Sequence, residues 1–231
     1  MSKWNKISLF VFQQIDKINA RTIPELDKTL FSICAVFKLT EYQLDNAGIK
    51  KANKLGLKLA DIFKEPFTPK KYKRIGRYFI NYDISKMTLG QYVELSYFLS
   101  NQLQNAHYIM ASVSNNWLRK NNSDEHRDKA DYFLHQPINK VIGSLSGIME
   151  SFNTFNNEYK DLFGLEKSES GPDEDDKFNK RWGWIYSATQ VAEYEKINLE
   201  QAMRLPVRQA FNGLSFLKAK GKYESELLNK K

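Results

Sequence analysis

Residues 88–113 read TLGQYVELSYFLSNQLQNAHYIMASV, and this stretch decides the fold class. Thr88 with Gln91 three positions later is the pattern of a capping box: the hydroxyl accepts the N3 amide proton and the glutamine side chain reaches back to the cap N–H. Tyr92, Leu95, Leu99, Leu103, Ile109, Met110 and Val113 then recur at helical intervals, which predicts a long central helix. Upstream, Leu26, Leu30, Ile33 and Phe37 predict an amphipathic helix over 25–37, with Pro24 suited to its start. Thr40-Glu41-Tyr42-Gln43 is a second capping box, opening a helical region whose later face carries Leu55, Leu59, Ile62 and Phe63 before Pro66 and Pro69 close it.

Downstream of the central stretch, Asn115 and Asn116 break the pattern and Ser123-Asp124-Glu125 starts a helix reaching Phe133 and Leu134. After Pro137 an apolar stripe from Val141 to Phe163 predicts one long helix ending at Gly164. Residues 164–177, GLEKSESGPDEDDK, are almost free of apolar side chains and read as a solvated acidic loop. Helical spacing resumes through Phe178, Trp182, Ile185, Tyr186 and Val191. Asn198-Leu199-Glu200-Gln201 forms a third cap, and beyond Pro206 a short stripe of Phe211, Leu214 and Leu217 precedes the basic end KAKGKYESELLNKK.

One segment departs from helical spacing. From Lys70 to Ile84, Tyr72, Arg74, Gly76, Tyr78, Ile80 and Tyr82 alternate with Lys73, Ile75, Arg77 and Phe79, so the segment reads as a strand or hairpin arm. The expected fold is therefore mainly α: a multi-helix bundle with one short extended segment at about 70–84 and a C-terminal helical unit. The expected domains are a helical main domain, 1–165, and a helical unit, 178–231, joined by the acidic loop 164–177. No internal repeat and no sustained heptad pattern stands out.

Composition narrows the function. The chain has 231 residues, a net charge of +8 and 42% hydrophobic residues, enough to bury a core beneath a basic surface. The apolar run Ile7–Phe12 is far shorter than the ~20 residues of a membrane span and lacks the shape of a secretory leader, and the one cysteine, Cys34, lies on an apolar stretch. These features suit a reducing cytoplasm and no membrane partner.

The sequence has no GxxxxGK[ST] loop, no GxGxxG after a strand, no HExxH, no CxxC and no GxSxG. His126 and His135 flank Asp124, Glu125, Asp128 and Asp131, a spacing better explained by a solvated helix face than by a metal site, and His107 reads as a satisfied helix histidine. The expectation is a non-enzyme with no catalytic, cofactor-binding or metal residues and no cofactor.

Two binding candidates remain. Lys70, Lys71, Lys73, Arg74 and Arg77, with Lys64 and the rings of Phe67, Tyr72 and Tyr78, form a patch suited to nucleic-acid contact, against the plainer reading of a lysine-protected strand edge. Trp182-Gly183-Trp184, with Phe211, Leu214 and Leu217, either anchors the C-terminal segment or meets a protein partner.

Three passages carry a family resemblance. They are GRYFINYDISKMTLGQYVEL (76–95), with Thr88, Gly90, Gln91, Tyr92 and Glu94 in a T-x-G-Q-aromatic-x-acid arrangement; NAHYIMAS (105–112); and WGWIYSATQVAEYEKINLEQAMRLPVRQAFNGLSFLKAK (182–220). In these the chain resembles small helical proteins of the virion-assembly gene clusters of tailed bacteriophages, including crAss-like phages, regarded as tail-assembly-chaperone-like or minor virion components. It departs from them at SNNWLRKNNS (114–123), where relatives often carry a proline-containing loop.

The resemblance implies a virion-assembly protein of the bacterial host cytoplasm that binds a tail, tape-measure-like or portal/connector protein, with retention in the virion and oligomer formation left open. A ring or connector subunit near the portal, and a DNA- or RNA-binding accessory protein, are the alternatives.

Overall fold

In the computed structural model, residues 3–115, 123–163 and 174–229 are described, and they are mainly helical. After a 3-10 turn at Lys3–Lys6 come α1 (Leu9–Asn19), α2 (Glu25–Phe37), α3 (Glu41–Asn46) and α4 (Gly48–Lys64). Strands β1 (Arg74–Ile75) and β2 (Tyr78–Ile80) follow, then α5 (Leu89–Phe98), α6 (Ala106–Val113) and β3 (Ser114–Asn115). The order closes with α7 (Ser123–Leu134), α8 (Ile138–Glu158), α9 (Lys160–Phe163), α10 (Glu174–Glu195), α11 (Leu199–Arg204) and α12 (Val207–Leu228). The mainly α class with a short β segment is as expected.

The three capping boxes form as their spacing requires. Thr40 and Gln43, Thr88 and Gln91, and Asn198 and Gln201 exchange reciprocal side-chain to backbone hydrogen bonds of 2.8–3.2 Å. Each satisfies two of the donors that a helix start leaves unpaired.

Contacts divide the chain into two compact units, 1–80 with 98–147 and 81–97 with 148–231. The first unit packs α1 on α2 and α7, α2 on α3 and α4, and α6 on α7. Its core includes Ile7, Leu9, Ile109, Met110, Phe133, Ile138 and Val141, with a satellite cluster of Ile33, Leu44 and Leu59. Trp4 is buried edge-on to Phe63 and Phe67, and its indole N–H donates to the Glu65 carbonyl at 3.0 Å. Leu26, placed on the apolar face of its helix by spacing, is 70% exposed instead: the stripe is wider than the face that neighbours cover. The second unit centres on Tyr92, Phe155 and Phe211, whose rings lie 4.9–6.0 Å apart.

Several expectations need correction. The predicted central helix is broken: α5 gives way to a 3-10 turn at Leu99–Asn101, and α6 starts only at Ala106. In the gap the Asn105 side chain donates to the Phe98 carbonyl at 3.1 Å, capping the end of α5. The stripe of 141–163 likewise breaks at Tyr159, between α8 and α9. Of the acidic loop, residues 164–173 lie outside the described residues, and α10 already begins at Glu174. The basic end is helical to Leu228.

The alternation in 70–84 changes phase at a turn. Gly76, with φ +55°, and Arg77 form the turn, pairing Ile75 with Tyr78 and Arg74 with Phe79, so Ile75, Tyr78 and Ile80 share the buried face. β3 adds to the other edge of β2, pairing Asn115 with Phe79 and Ser114 with Ile80.

An internal correspondence escaped the sequence reading. In the first unit Ser8 bridges to Pro137: Leu9 N–H donates to Gln136 O and Ile138 N–H to Ile7 O, both at 2.9 Å. In the second, Thr88 bridges to Pro206, with Leu89 N–H to Leu205 O and Val207 N–H to Met87 O, both at 2.8 Å. Each time a hydroxyl cap followed by leucine pairs with a proline that starts a helix. The helices so started, PINKVIGSLSGI and PVRQAFNGLSFL, align at Pro137/Pro206, Leu145/Leu214 and Ser146/Ser215. Three identities in twelve residues are too few to see until the bridges set the register.

Candidate binding surfaces

In the second unit a groove of about 380 Å³ runs along α10 and α12, lined by Leu162, Trp184, Tyr186, Ser187, Gln190, Phe211, Leu214, Leu217 and Lys218. Four of the five residues singled out in the sequence thus meet around one concave surface, but in different roles. Phe211 is 0% exposed and Leu214 is also buried, so they form the groove's floor and the unit's core. Truncating a ring placed like Phe211 costs about 3–5 kcal/mol of stability. Trp184 is half-buried, stacked on Phe211 with the planes 8° apart at 6.5 Å and edge-on to Tyr92. Leu217 is half-buried.

Trp182 is not among the lining residues. It stands 42% exposed on the outer face of α10, with the Arg181 guanidinium 5.0 Å from its ring, and Ile185 and Tyr186 continue that face as exposed apolar side chains. Tyr186 and Ile185 carried no special weight in the sequence; their helical spacing from Trp182 was the available signal. At the groove's end Lys218 donates to the Asp161 carbonyl at 2.7 Å, and Tyr159 donates to the Asn212 side chain at 2.9 Å.

The second candidate lies in the first unit. Lys70, Lys71, Lys73, Arg74 and Arg77 are all exposed, together with Phe67 and Phe79, and no carboxylate occurs between Glu65 and Asp83. Arg74 Nε donates to the Gly76 carbonyl at 2.7 Å and its guanidinium lies 5.3 Å from the Phe79 ring. Arg77 lies 5.1 Å from the ring of Tyr78 and 5.2 Å from that of Tyr132. Tyr78 itself is buried against Tyr132 and Phe133, so Phe79 takes the exposed place assigned to Tyr78 in the sequence. The half-buried Tyr72 lies under the Lys140 ammonium, and its N–H donates to Ser144 Oγ at 3.3 Å.

The three histidines sit in different surroundings. His126 stacks with Phe98 and Tyr108 and shares a 3.2 Å hydrogen bond with Ser112 Oγ, whereas His135 lies 3.6 Å from Asp131 on the surface. His107 departs from the expected satisfied state: its buried Nδ1 has no hydrogen-bond partner among the described residues, and burial lowers its pKa. Cys34 is half-buried, and burial first, then the Glu41 and Asp45 carboxylates, push its thiol up, away from a reactive thiolate. Among the described residues no three His, Cys, Asp or Glu side chains group as metal ligands. None of the helices there is long and apolar enough to cross a membrane.

The chain matches no protein-family model, no curated protein and no solved structure.

Proposed function

We propose that this protein is a non-enzymatic assembly factor that binds an apolar helix of a larger protein along α10 and α12. The observation that carries the reading is the groove over Phe211 and Leu214, which Tyr186 also lines, together with the exposed Trp182 and Ile185 on α10 and Phe216 on α12. Aromatic side chains bordering a concave apolar surface are the usual anchors of helix-in-groove recognition. Such a site binds by burying the partner's apolar stripe, a task that needs neither a nucleophile nor a cofactor. The resemblance to phage assembly proteins supplies the partner class: a tail, tape-measure-like or portal protein whose apolar helices are covered in the host cytoplasm until they assemble.

Co-expression with candidate virion proteins followed by affinity capture tests this reading. Substituting the exposed residues, Trp182→Ser with Tyr186→Ser, is expected to weaken capture at least about tenfold while leaving the thermal midpoint unchanged. Capture that is unaffected by both substitutions would place the partner elsewhere and remove the proposal. Phe211 is unsuited to this test because its loss would unfold the unit.

A further inference from the structure

We infer that the solvent face of the three-stranded sheet is a platform for a single-stranded polynucleotide. The sheet's register places Arg74, Phe79 and Asn115 in one row across β1, β2 and β3, and all three are exposed. Alternation sends Ile75, Tyr78, Ile80 and Ser114 to the buried face, so the row cannot turn inward without emptying the core beneath it. The result is a ring 45% exposed at the centre of the sheet, a guanidinium beside it and an amide at the far edge.

Each member has a matching role. A base can stack on the Phe79 ring and continue onto the guanidinium plane, which the Arg74 Nε bond to Gly76 O holds in place. Asn115 can hydrogen-bond a base edge through its amide. Lys70, Lys71, Lys73 and Arg77, all exposed, add positive charge to the same segment, where no carboxylate occurs from residue 66 to 82, and this suits a phosphate backbone.

The strand must be single because stacking on Phe79 requires a base face that a duplex keeps inside its own stack. A lysine-protected strand edge explains the cations but not an aromatic ring between an arginine and an amide on the open face. The site lies in the first unit and is independent of the α10–α12 reading.

The test is fluorescence anisotropy on the full chain with labelled 20-mers of dT and rU and a 20-base-pair duplex, at about 50 and about 200 mM salt. At least one single strand is expected to bind about tenfold tighter than the duplex, and preference between dT and rU assigns the sugar. Phe79→Ala is expected to lower single-strand affinity about tenfold and to leave duplex affinity unchanged. Phe79→Leu, which keeps an apolar side chain but removes the π-face, should lose nearly as much, whereas Phe10→Ala, which removes another exposed ring of the same unit, should change nothing. Lys73→Ala combined with Arg74→Ala should flatten the salt slope by about 1.4.

Equal affinity for strand and duplex, or full affinity in Phe79→Ala and Phe79→Leu, would overturn the proposal. So would displacement of the strand by polyglutamate at matched charge, the mark of a surface for acidic proteins, or an absence of binding at about 50 mM salt.

Discussion

Tyr92 shows how much one side chain holds. It is almost fully buried, its ring lies 4.9–6.0 Å from Phe152, Phe155, Trp184 and Phe211, and its hydroxyl donates to Asn156 Oδ1 at 2.6 Å. Burial raises its pKa well above the ordinary tyrosine value. Stability from this group is therefore fully present below the unfolded value of about 10. It is lost as pH rises above that value, where the unfolded chain releases a proton that the folded chain retains. Urea unfolding between pH 8 and 11 should show this decline, and Tyr92→Phe should reduce its slope, with Tyr159, raised by the same cause, supplying some of the remainder. The sequence identified Tyr92 as a stripe residue following a cap; that it collects the rings of both α8 and the C-terminal helices is visible only in the fold. That Trp182 and Trp184 differ followed from helical spacing, since two residues of separation turn one indole away from the other, but which of them faces inward was visible only in the fold.

At the scale of elements, starts were legible and interruptions were not. A capping box is a local device confined to four residues, so Thr40, Thr88 and Asn198 could be read directly. The break at 99–105 could not, because Leu99 and Leu103 keep the helical period while Asn105 caps the end of α5. The extended segment was legible, but as one strand or hairpin arm with a single alternation, whereas one glycine makes it a hairpin and shifts the phase. Gly76 has φ +55°, and a Cβ there would meet the Tyr132 hydroxyl. Gly76→Ala is expected to destabilise the protein by more than about 1 kcal/mol, read as a lower urea midpoint. At Gly143 of α8 the crowding comes from the backbone of Lys70, which shows how closely the segment leading into the hairpin lies on that helix.

On the scale of the whole molecule, the second unit is discontinuous, and Met87, Leu89, Tyr92 and Leu95 of its early segment are all buried. Expressed alone, residues 148–231 should give a helical but loosely packed chain with poor amide dispersion. Joining residues 81–97 through a flexible linker should restore cooperative unfolding, and a cooperatively folded 148–231 fragment would contradict this account. By itself the sequence determined that the protein is helical, where most helices begin and where the extended segment lies, because helical period and cap spacing act over a few residues. Only the tertiary structure decided that Thr88 pairs with Pro206, about 120 residues away, and that Phe211 forms the groove's floor while Trp182 stands outside it. The row of Arg74, Phe79 and Asn115 was decided there too. Such outcomes depend on which apolar surfaces bury one another across distant stretches of chain, and periodicity marks a stripe without naming what covers it.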